Sequence, residues 1–589
     1  MLELTLLLLV AVTVAVLVTV VSIGHRQYAR AAGAAAATVV LVWWLSIVAP
    51  LLTLGLLAVV VGVGFVRFTR TSALVSRWGA RTRRKAGVAS TLDVARIASA
   101  PALRRKAGVV RPSLAGLTFG QRMRLATTEV AVPLCRAGLL RCWTSIEDVL
   151  CLFGGPRTGK TGFLAGRVID APGAAVVTST RTDLHELTAA IRAEQRGPVY
   201  VFNAVGLAGL TSTITFDPLT GCEDPVTATE RATDLLAAGS TTGGNDGERE
   251  FWTGQAIRVL AALLHAAALG GLHMRSVLEW VANPAGAQRE VSALMRRSSE
   301  PALADSATQF LTLNDRTQTS ITSTIMPSLG WLASPAASAA ATGGDGFDVT
   351  QLLRDRATVY LLGAAETHAA PLVTALTGHI AREARRLATY EAGGRLDPPL
   401  TLVLDEAALI SPVPLDQWTA DMGGRGVTIL AAFQSRAQLI DRWGANGAAI
   451  ILNNAASIMV FGGTRDRDDL DYWATLAGER DEPVTTYDNN GRPLSRTVRK
   501  TPVLAPSQLA NLPAGRVVLF RRGLAPVIGP VRMAWRRRDV RAQQRAERRA
   551  PAAAGTSARD VHVPRPRAGE PGEIAPSRVW ADATREDRP

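Results

Sequence analysis

Val149-Leu150-Cys151-Leu152-Phe153-Gly154-Gly155-Pro156-Arg157-Thr158-Gly159-Lys160-Thr161 reads as a short apolar strand that runs into a glycine-rich loop and opens a helix at Lys160. Residues Gly154, Gly155, Pro156, Arg157, Thr158, Gly159, Lys160 and Thr161 satisfy GxxxxGK[ST] at every position, in the strand–loop–helix setting the pattern requires. Backbone N–H groups of such a loop and the amino end of its helix cradle phosphates. Lys160 then reaches the β- and γ-phosphates of ATP, and the Thr161 hydroxyl ligates Mg²⁺. Lysine is scarce in this chain, found only at 85, 106, 160 and 500, so one inside a glycine-rich loop stands out.

Outward from this loop the pattern alternates strand and helix. Ala174–Thr178 and Val199–Phe202 are strand candidates flanking a helix at Asp183–Arg192, and Ala357–Leu362, Leu400–Leu404, Val427–Ala432 and Ser457–Phe461 resume the series. Short apolar runs separated by helices imply a parallel sheet covered on both faces, an α/β fold. Thr485–Leu504 around Asn490-Gly491 reads as a hairpin and Val517–Phe520 as a late strand. Between about 225 and 344 strand runs give way to Ala/Leu-rich helical periodicity with glycine-rich edges, which predicts an inserted all-alpha domain.

Leu400–Leu404 ends in Asp405-Glu406. An apolar strand ending in two acids places Asp405 to hold the Mg²⁺-bound water and Glu406 to act as general base on the attacking water. Their long separation from Lys160 needs an insertion, which the helical region supplies. Gly424-Arg425-Gly426 precedes the next strand and Gln434 follows it. Ligands sit at the carboxyl ends of parallel strands, so Gln434 stands where it could sense the γ-phosphate. Arg425 lies at the opposite end.

The chain has 589 residues, 47% hydrophobic and 20% charged, which is ample for two or three domains and excludes global disorder. The net charge of +15, carried almost wholly by arginine, favours a polyanionic partner or a membrane surface. Four cysteines (135, 142, 151, 222) are too few for a disulfide scaffold and lack zinc spacing. His185-Glu186 begins a zinc-protease pattern, but Ala189 occupies the second histidine position, so that reading fails.

Leu4–Ile23 is an apolar run of about 20 residues, the length of a membrane-spanning helix. A second run, Ala31–Val66, contains Trp43, Trp44 and Pro50. Two spans are expected, or three if the chain turns at Pro50. A cleaved signal peptide is disfavoured because no basic segment precedes Leu4 and a second apolar run follows. Arg67, Arg70, Arg77, Arg81, Arg83, Arg84 and Lys85 follow at once, which by the positive-inside bias puts everything downstream in the cytoplasm. This basic stretch reads as a stop-transfer and lipid-contact segment before it reads as a nucleic-acid site. The expected organisation is a transmembrane anchor (1–66), a basic connector (67–140), a nucleotide-binding domain (141–224 and 345–535), the helical insertion (225–344) and a disordered Arg/Pro/Ala-rich tail (536–589).

Together these elements resemble the type IV coupling proteins, the membrane-anchored hexameric ATPases of conjugative DNA transfer and type IV secretion. Further signs are Glu147-Asp148 before the first strand, Phe251-Trp252 opening a helix of the insertion, Gly424-Arg425-Gly426-Val427, Gln434-Ser435, and Asn453-Asn454 through Phe461-Gly462. The resemblance covers about Gly87 to Trp535. It implies a RecA-like P-loop NTPase domain with an inserted all-alpha domain, an inner-membrane multi-pass anchor and a homo-hexameric ring. It also implies a trans-acting arginine in the Gly-Arg-Gly region; Arg465 is the rival, but it follows a strand on the side of its own nucleotide. The sequence departs from commoner members at Thr178-Ser179-Thr180-Arg181, where many carry Asp-Pro-Lys-Gly, which puts any role of that loop in doubt. Phe251 and Trp252 read as core of the insertion before they read as DNA-stacking residues.

The leading expectation is an ATP-driven motor, stimulated by DNA, that links a relaxase or other protein substrate on single-stranded DNA to a type IV secretion channel. Arginine contacts to backbone phosphates would make binding salt-sensitive and largely independent of sequence. The alternatives are a septal-type double-stranded DNA translocase, a protein-secretion ATPase, and a docking receptor that binds ATP only to hold an oligomer together.

Overall fold

The computed structural model describes residues 87–239, 246–342, 347–364, 368–487 and 493–549, with isolated helical positions at 36, 37, 40 and 43. They belong to two compact units, one of Met1–Gly87 with Arg480–Lys500 and one of Val88–Glu479 with Thr501–Pro589. No helix among the described residues is long and apolar enough to cross a membrane. The apolar runs at 4–23 and 31–66, those four positions aside, lie outside the described residues, as do the basic stretch after Val66, the Asn490-Gly491 turn and residues 550–589.

The described strands are β1 (Ala131–Ala137), β2 (Leu140–Ser145), β3 (Leu150–Phe153), β4 (Ala175–Ser179), β5 (Val199–Asn203), β6 (Thr358–Leu362), β7 (Leu400–Leu404), β8 (Val427–Phe433), β9 (Ser457–Val460), β10 (Glu479–Tyr487), β11 (Pro493–Pro502), β12 (Arg516–Arg521) and β13 (Leu524–Pro530). The main sheet has nine strands in the order β13-β12-β9-β3-β8-β7-β4-β6-β5. From β9 to β5 every neighbouring pair is parallel. β12 and β13 extend the β9 edge antiparallel. In the smaller unit β10 and β11 pair with each other.

Parallel strands buried on both faces need apolar residues at consecutive positions, and β3, β4, β6, β7 and β8 are buried along their whole length. Alternate residues serve opposite faces. Cys151, Phe153, Leu402, Leu404, Ile429 and Phe433 join the core shared with the inserted helices. Leu150, Leu152, Val403, Leu430 and Met459 face Phe163, Leu164 and Val168 of the helix Lys160–Asp170.

Between β5 and β6 the described residues hold helices and no strand, chiefly Pro225–Gly239, Asp246–Leu269, Met274–Ala282, Pro284–Met295, Pro301–Thr312 and Asp315–Leu329. Their starts are written locally: Asn283 and Asn314 accept N-capping bonds, and Pro284 and Pro301 occupy first-turn positions where no N–H is needed. Asp234 on the first of these helices is fully buried and bonded to both Nη atoms of Arg382, at 2.8 Å for Nη2 to Oδ1. Arg442 ties the same helix to the end of the β7 segment, donating to Ala237 O and Ala408 O at 3.0 Å each.

Three expectations are corrected. The connector assigned to 67–140, read as partly helical over Ser90–Arg105, has helices there at Thr91–Ile97 and Ala100–Arg104 but ends in a strand, because β1 and β2 form an antiparallel hairpin from Ala131↔Ser145 to Ala137↔Leu140. Cys135 also bridges to Val531, so the hairpin is built against the far end of the chain. The tail assigned as disordered from 536 forms a helix at Arg538–Arg549. Its Arg, Gln, Ala and Glu residues are good helix formers, Val540 is buried, and Arg537 before it pairs with Asp170 at 2.7 Å. Phe251, read as core, is 57% exposed; only Trp252 is partly covered by the core, with Phe251 standing edge-on to it at a centroid distance of 5.2 Å.

Candidate nucleotide-binding site

β3 ends at Phe153 in the middle of the sheet, between β8 and β9. The loop that follows is pinned on both sides: Gly154 N donates to Phe433 O (3.3 Å), and Phe153 O accepts from Phe461 N (2.6 Å). Thr158 Oγ1 donates across the loop to Gly155 O at 2.8 Å. Gly159 has φ of +104°, left-handed backbone that an L side chain rarely adopts, and so turns the chain into the helix Lys160–Asp170. Arg157 is also left-handed at φ 61°, an uncommon state for a residue with a Cβ and one that clusters at ligand sites.

Lys160 is buried, and its Nζ folds back on the loop, donating to Gly154 O and, at 3.3 Å, to Gly155 O. Burial lowers its pKa, while Asp405 and Glu406 oppose the shift. Asp405 closes β7, two strands from β3, and is 6% exposed. Its Oδ2 lies 3.5 Å from Thr161 Oγ1. Burial first, and the neighbouring Glu406 second, push its carboxyl up to about 6, against the pull of Lys160 and the Thr161 hydroxyl.

Glu406 sits in left-handed backbone, φ 51° and ψ 47°, at the start of the helix Ala407–Ile410. Its two carboxylate oxygens are held by different strand ends. Thr180 Oγ1 after β4 donates to Oε2 at 3.1 Å, and Gln434 Nε2 after β8 donates to Oε1 at 3.4 Å. Neutral donors fix the orientation of a carboxylate without cancelling its charge.

The structure thus brings Lys160, Thr161, Asp405, Glu406 and Gln434 together at the carboxyl ends of β3, β7 and β8, the position open parallel sheets use for ligands. Thr180 joins them and was not singled out from sequence; it lies in the loop whose role the departure from Asp-Pro-Lys-Gly left in doubt. Arg425 stands apart. It ends a 3-10 turn before β8, and Gly426 after it is left-handed at φ +79°. At ~3.3 Å per residue the intervening strand separates Arg425 from Gln434 by roughly 30 Å. It lines a cavity of about 890 Å³ with Arg231, Arg382, Arg385 and Arg386. Arg465 is exposed in the segment after β9, and Gly463 of that segment abuts Gly155 and Thr158.

Two hard oxygen donors, one from Thr161 and one from Asp405, suit Mg²⁺, which takes one or two protein oxygens and completes its shell with phosphate and water. The raised Asp405 carboxyl beside Glu406 marks a place where a divalent cation would relieve charge repulsion. Among the described residues no group of three or more His, Cys, Asp or Glu side chains could hold a metal by itself, and all four cysteines are free and buried.

The profile of the family described as Type IV secretory system Conjugative DNA transfer matches residues 113–557. The chain belongs to this family, that of the type IV secretion coupling proteins. A probable conjugal transfer protein TraG of Sinorhizobium fredii is 23% identical over 321 residues, 51% of this chain and 49% of that protein. A conjugal transfer protein TraG of Rhizobium radiobacter is 22% identical over 307 residues, 49% of this chain and 47% of that one. The match to this coupling protein therefore spans about half the length of these relatives. Among solved structures, the bacterial conjugative coupling protein TrwBdeltaN70 superposes with a TM-score of 0.54 at 17% identity, over 70% of this chain and 90% of that one. The shared α/β fold with its mostly parallel central sheet is RecA-like.

Proposed function

We propose that this coupling protein is a Mg²⁺-dependent ATPase and the motor of a conjugative type IV secretion system. It would be anchored in the inner membrane by residues 1–66, with its soluble part in the cytoplasm. In this reading it assembles as a homo-hexameric ring and moves single-stranded DNA, with an attached relaxase or other protein substrate, to the secretion channel. The observation that carries the reading is the meeting of Lys160, Thr161, Asp405, Glu406 and Gln434 at one end of the sheet.

Each residue has a role its position supports. Lys160 leaves the Gly154 and Gly155 carbonyls for the β- and γ-phosphate oxygens, exchanging one set of acceptors for a charged one. Thr161 and Asp405 would hold Mg²⁺, which supplies charge neutralisation across those oxygens. Glu406, aligned by Thr180 and Gln434, orients the attacking water and takes its proton as the bond from the γ-phosphorus to the bridging oxygen breaks. Gln434, touching both Glu406 and the approach to the γ-phosphate, reports whether that group is present. Arg425 is too far from its own subunit's site and would act on the neighbour's across a head-to-tail ring contact.

The test is ATP hydrolysis by the full chain in detergent, without DNA, with single-stranded DNA and with duplex DNA, beside a Lys160→Ala control. Stimulation by single strands that disappears in the control is the expected result. Equal activity of parent and control would refute the site. Stimulation by duplex DNA alone would replace the single-strand motor with a duplex translocase.

A further inference from the structure

The helix Lys160–Asp170 carries a glycine-lined face that the closing segment of the chain lies along. Positions 159, 162, 166 and 170 recur at helical spacing on one face, and three of them are glycine. A Cβ on Gly159 would stand 2.4 Å from Met533 Cε, and one on Gly162 would stand 2.1 Å from Trp535 Cζ3. Further along, Arg537 Nη1 donates to Gly166 O at 3.3 Å and to Asp170 Oδ1 at 2.7 Å. Glycine at 162 is what lets the indole come this close to the first turn of the phosphate-loop helix.

We infer that Trp535 is the platform on which the base of the bound nucleotide stacks, so that the site takes purine nucleoside triphosphates with little discrimination between them. This rests on the nucleotide reading above. In a phosphate loop the lysine serves the β- and γ-phosphates while the loop and first-turn N–H groups serve the α- and β-phosphates. The nucleoside therefore departs from the first turn, on a flank away from the metal. Thr161 faces Asp405. Gly162, one residue on, is rotated ~100° about the helix axis from that side. That is where the indole lies.

The segment around the ring is otherwise closed. Met533 and Ala534 are buried, Arg536 N donates to Met533 O (3.1 Å), Arg541 Nε donates to Trp535 O (3.2 Å), and Arg537 is paired with Asp170 and Asp539. Trp535 remains 43% exposed. An indole set against a glycine in the first turn of the phosphate-loop helix, on a backbone held by these bonds and with 43% of its surface open, is placed to serve as a stacking surface. Stacking reads the π-face common to all bases and not their hydrogen-bonding edges. Adenine and guanine nucleotides should therefore bind alike, and the smaller pyrimidines more weakly.

Full-length protein in detergent with Mg²⁺ tests this by titration with ATP, GTP, UTP and inorganic tripolyphosphate. Trp535→Leu keeps an apolar cover over Gly162 without a ring face, and Trp535→Phe keeps a smaller ring. The Leu variant should bind ATP roughly tenfold more weakly and tripolyphosphate unchanged, and the Phe variant should recover most of the loss. ATP binding as tight in the Leu variant as in the parent overturns the platform. So does an equal loss of ATP and tripolyphosphate, which would mean that the ring only shapes the loop. A parent that binds UTP as tightly as ATP also counts against it. A parent that binds neither ATP nor tripolyphosphate removes the nucleotide reading itself, and the platform with it.

Discussion

Replacing Asp405 by asparagine should make the protein more heat-stable in the absence of Mg²⁺ and nucleotide, while weakening its response to both. Asp405 is buried at the end of β7 with Glu406 beside it, and its carboxyl titrates at about 6 against an ordinary aspartate value of 3.8. The folded pKa is raised, so the folded state keeps a proton that the unfolded chain releases as pH rises from 3.8. The side chain thus costs nothing below that range, and stability falls until pH passes 6. At ~1.4 kcal/mol for each pH unit between those two values, the penalty reaches about 3 kcal/mol above pH 7. The pull of Lys160 on the carboxylate is already contained in that raised value, so the asparagine should recover most of the penalty, roughly 2–3 kcal/mol.

With ~2.1 cal/mol/K of unfolding entropy per residue over roughly 430 residues, that gain raises Tm by about 2–3 °C. The assay is a thermal melt of parent and Asp405→Asn with a chelator present, at pH steps from 4.5 to 8. The difference between them should be near zero at the acid end, grow through pH 5 and 6 and level off above 7. Added MgATP should then stabilise the parent and do less for the variant. A difference that stays flat with pH, or an asparagine variant less stable at pH 8 than at pH 5 relative to the parent, would refute the account of a strained, buried carboxylate waiting for a cation.

Glu406→Gln keeps the shape and both hydrogen-bond neighbours in reach but cannot accept a proton, so ATP should still bind while turnover falls by about 10²–10⁴; unchanged steady-state ATPase would remove Glu406 from the mechanism. Arg382→Ala strands the fully buried Asp234 carboxylate and should cost about 3–5 kcal/mol in a melt at pH 7, with Asp234→Asn restoring part of it. Rings mixed from Arg425→Ala and Lys160→Ala subunits contain interfaces with both side chains intact. They should recover ATPase above either pure mutant, whereas full activity of pure Arg425→Ala rings would exclude its action in trans.

The central sheet was legible because a parallel strand buried on both faces must be apolar at consecutive positions, and β3, β4, β7 and β8 satisfy that locally. β1, β2 and β13 were not. Pro133, Arg136 and Arg141 interrupt the apolar runs of the hairpin, and β13 ends in Gly529-Pro530. Each belongs to a hairpin, β1 with β2 and β13 with β12, but the bridge that joins the two hairpins, Cys135 with Val531, spans distant sequence, and a local pattern carries no record of that. The helix at Arg538–Arg549 was missed for a related reason. Its residues favour helix, yet the apolar anchor is little more than Val540, too sparse to give a periodic stripe. Phe251 failed in the other direction, since an aromatic pair opening a helix says nothing about whether other helices cover that end.

The candidate site divides along the same physical line. A buried charge is costly and therefore rare, so the charged members announce themselves: one of four lysines set among glycines, and two acids at the end of an otherwise apolar strand. Their neutral helpers carry no such mark. Thr180 is a hydroxyl in a run of hydroxyls, and it matters because β4 lies beside β7 in the sheet order, which brings its Oγ1 to 3.1 Å from Glu406. Trp535 reaches the phosphate-loop helix because β12, β13 and the following turn return the chain to the β9 side of β3. Both contacts follow from topology. Residues that supply charge can thus be found along the chain, and so can Gln434 from its place after a strand, whereas Thr180 and Trp535 become visible only once strand order is known.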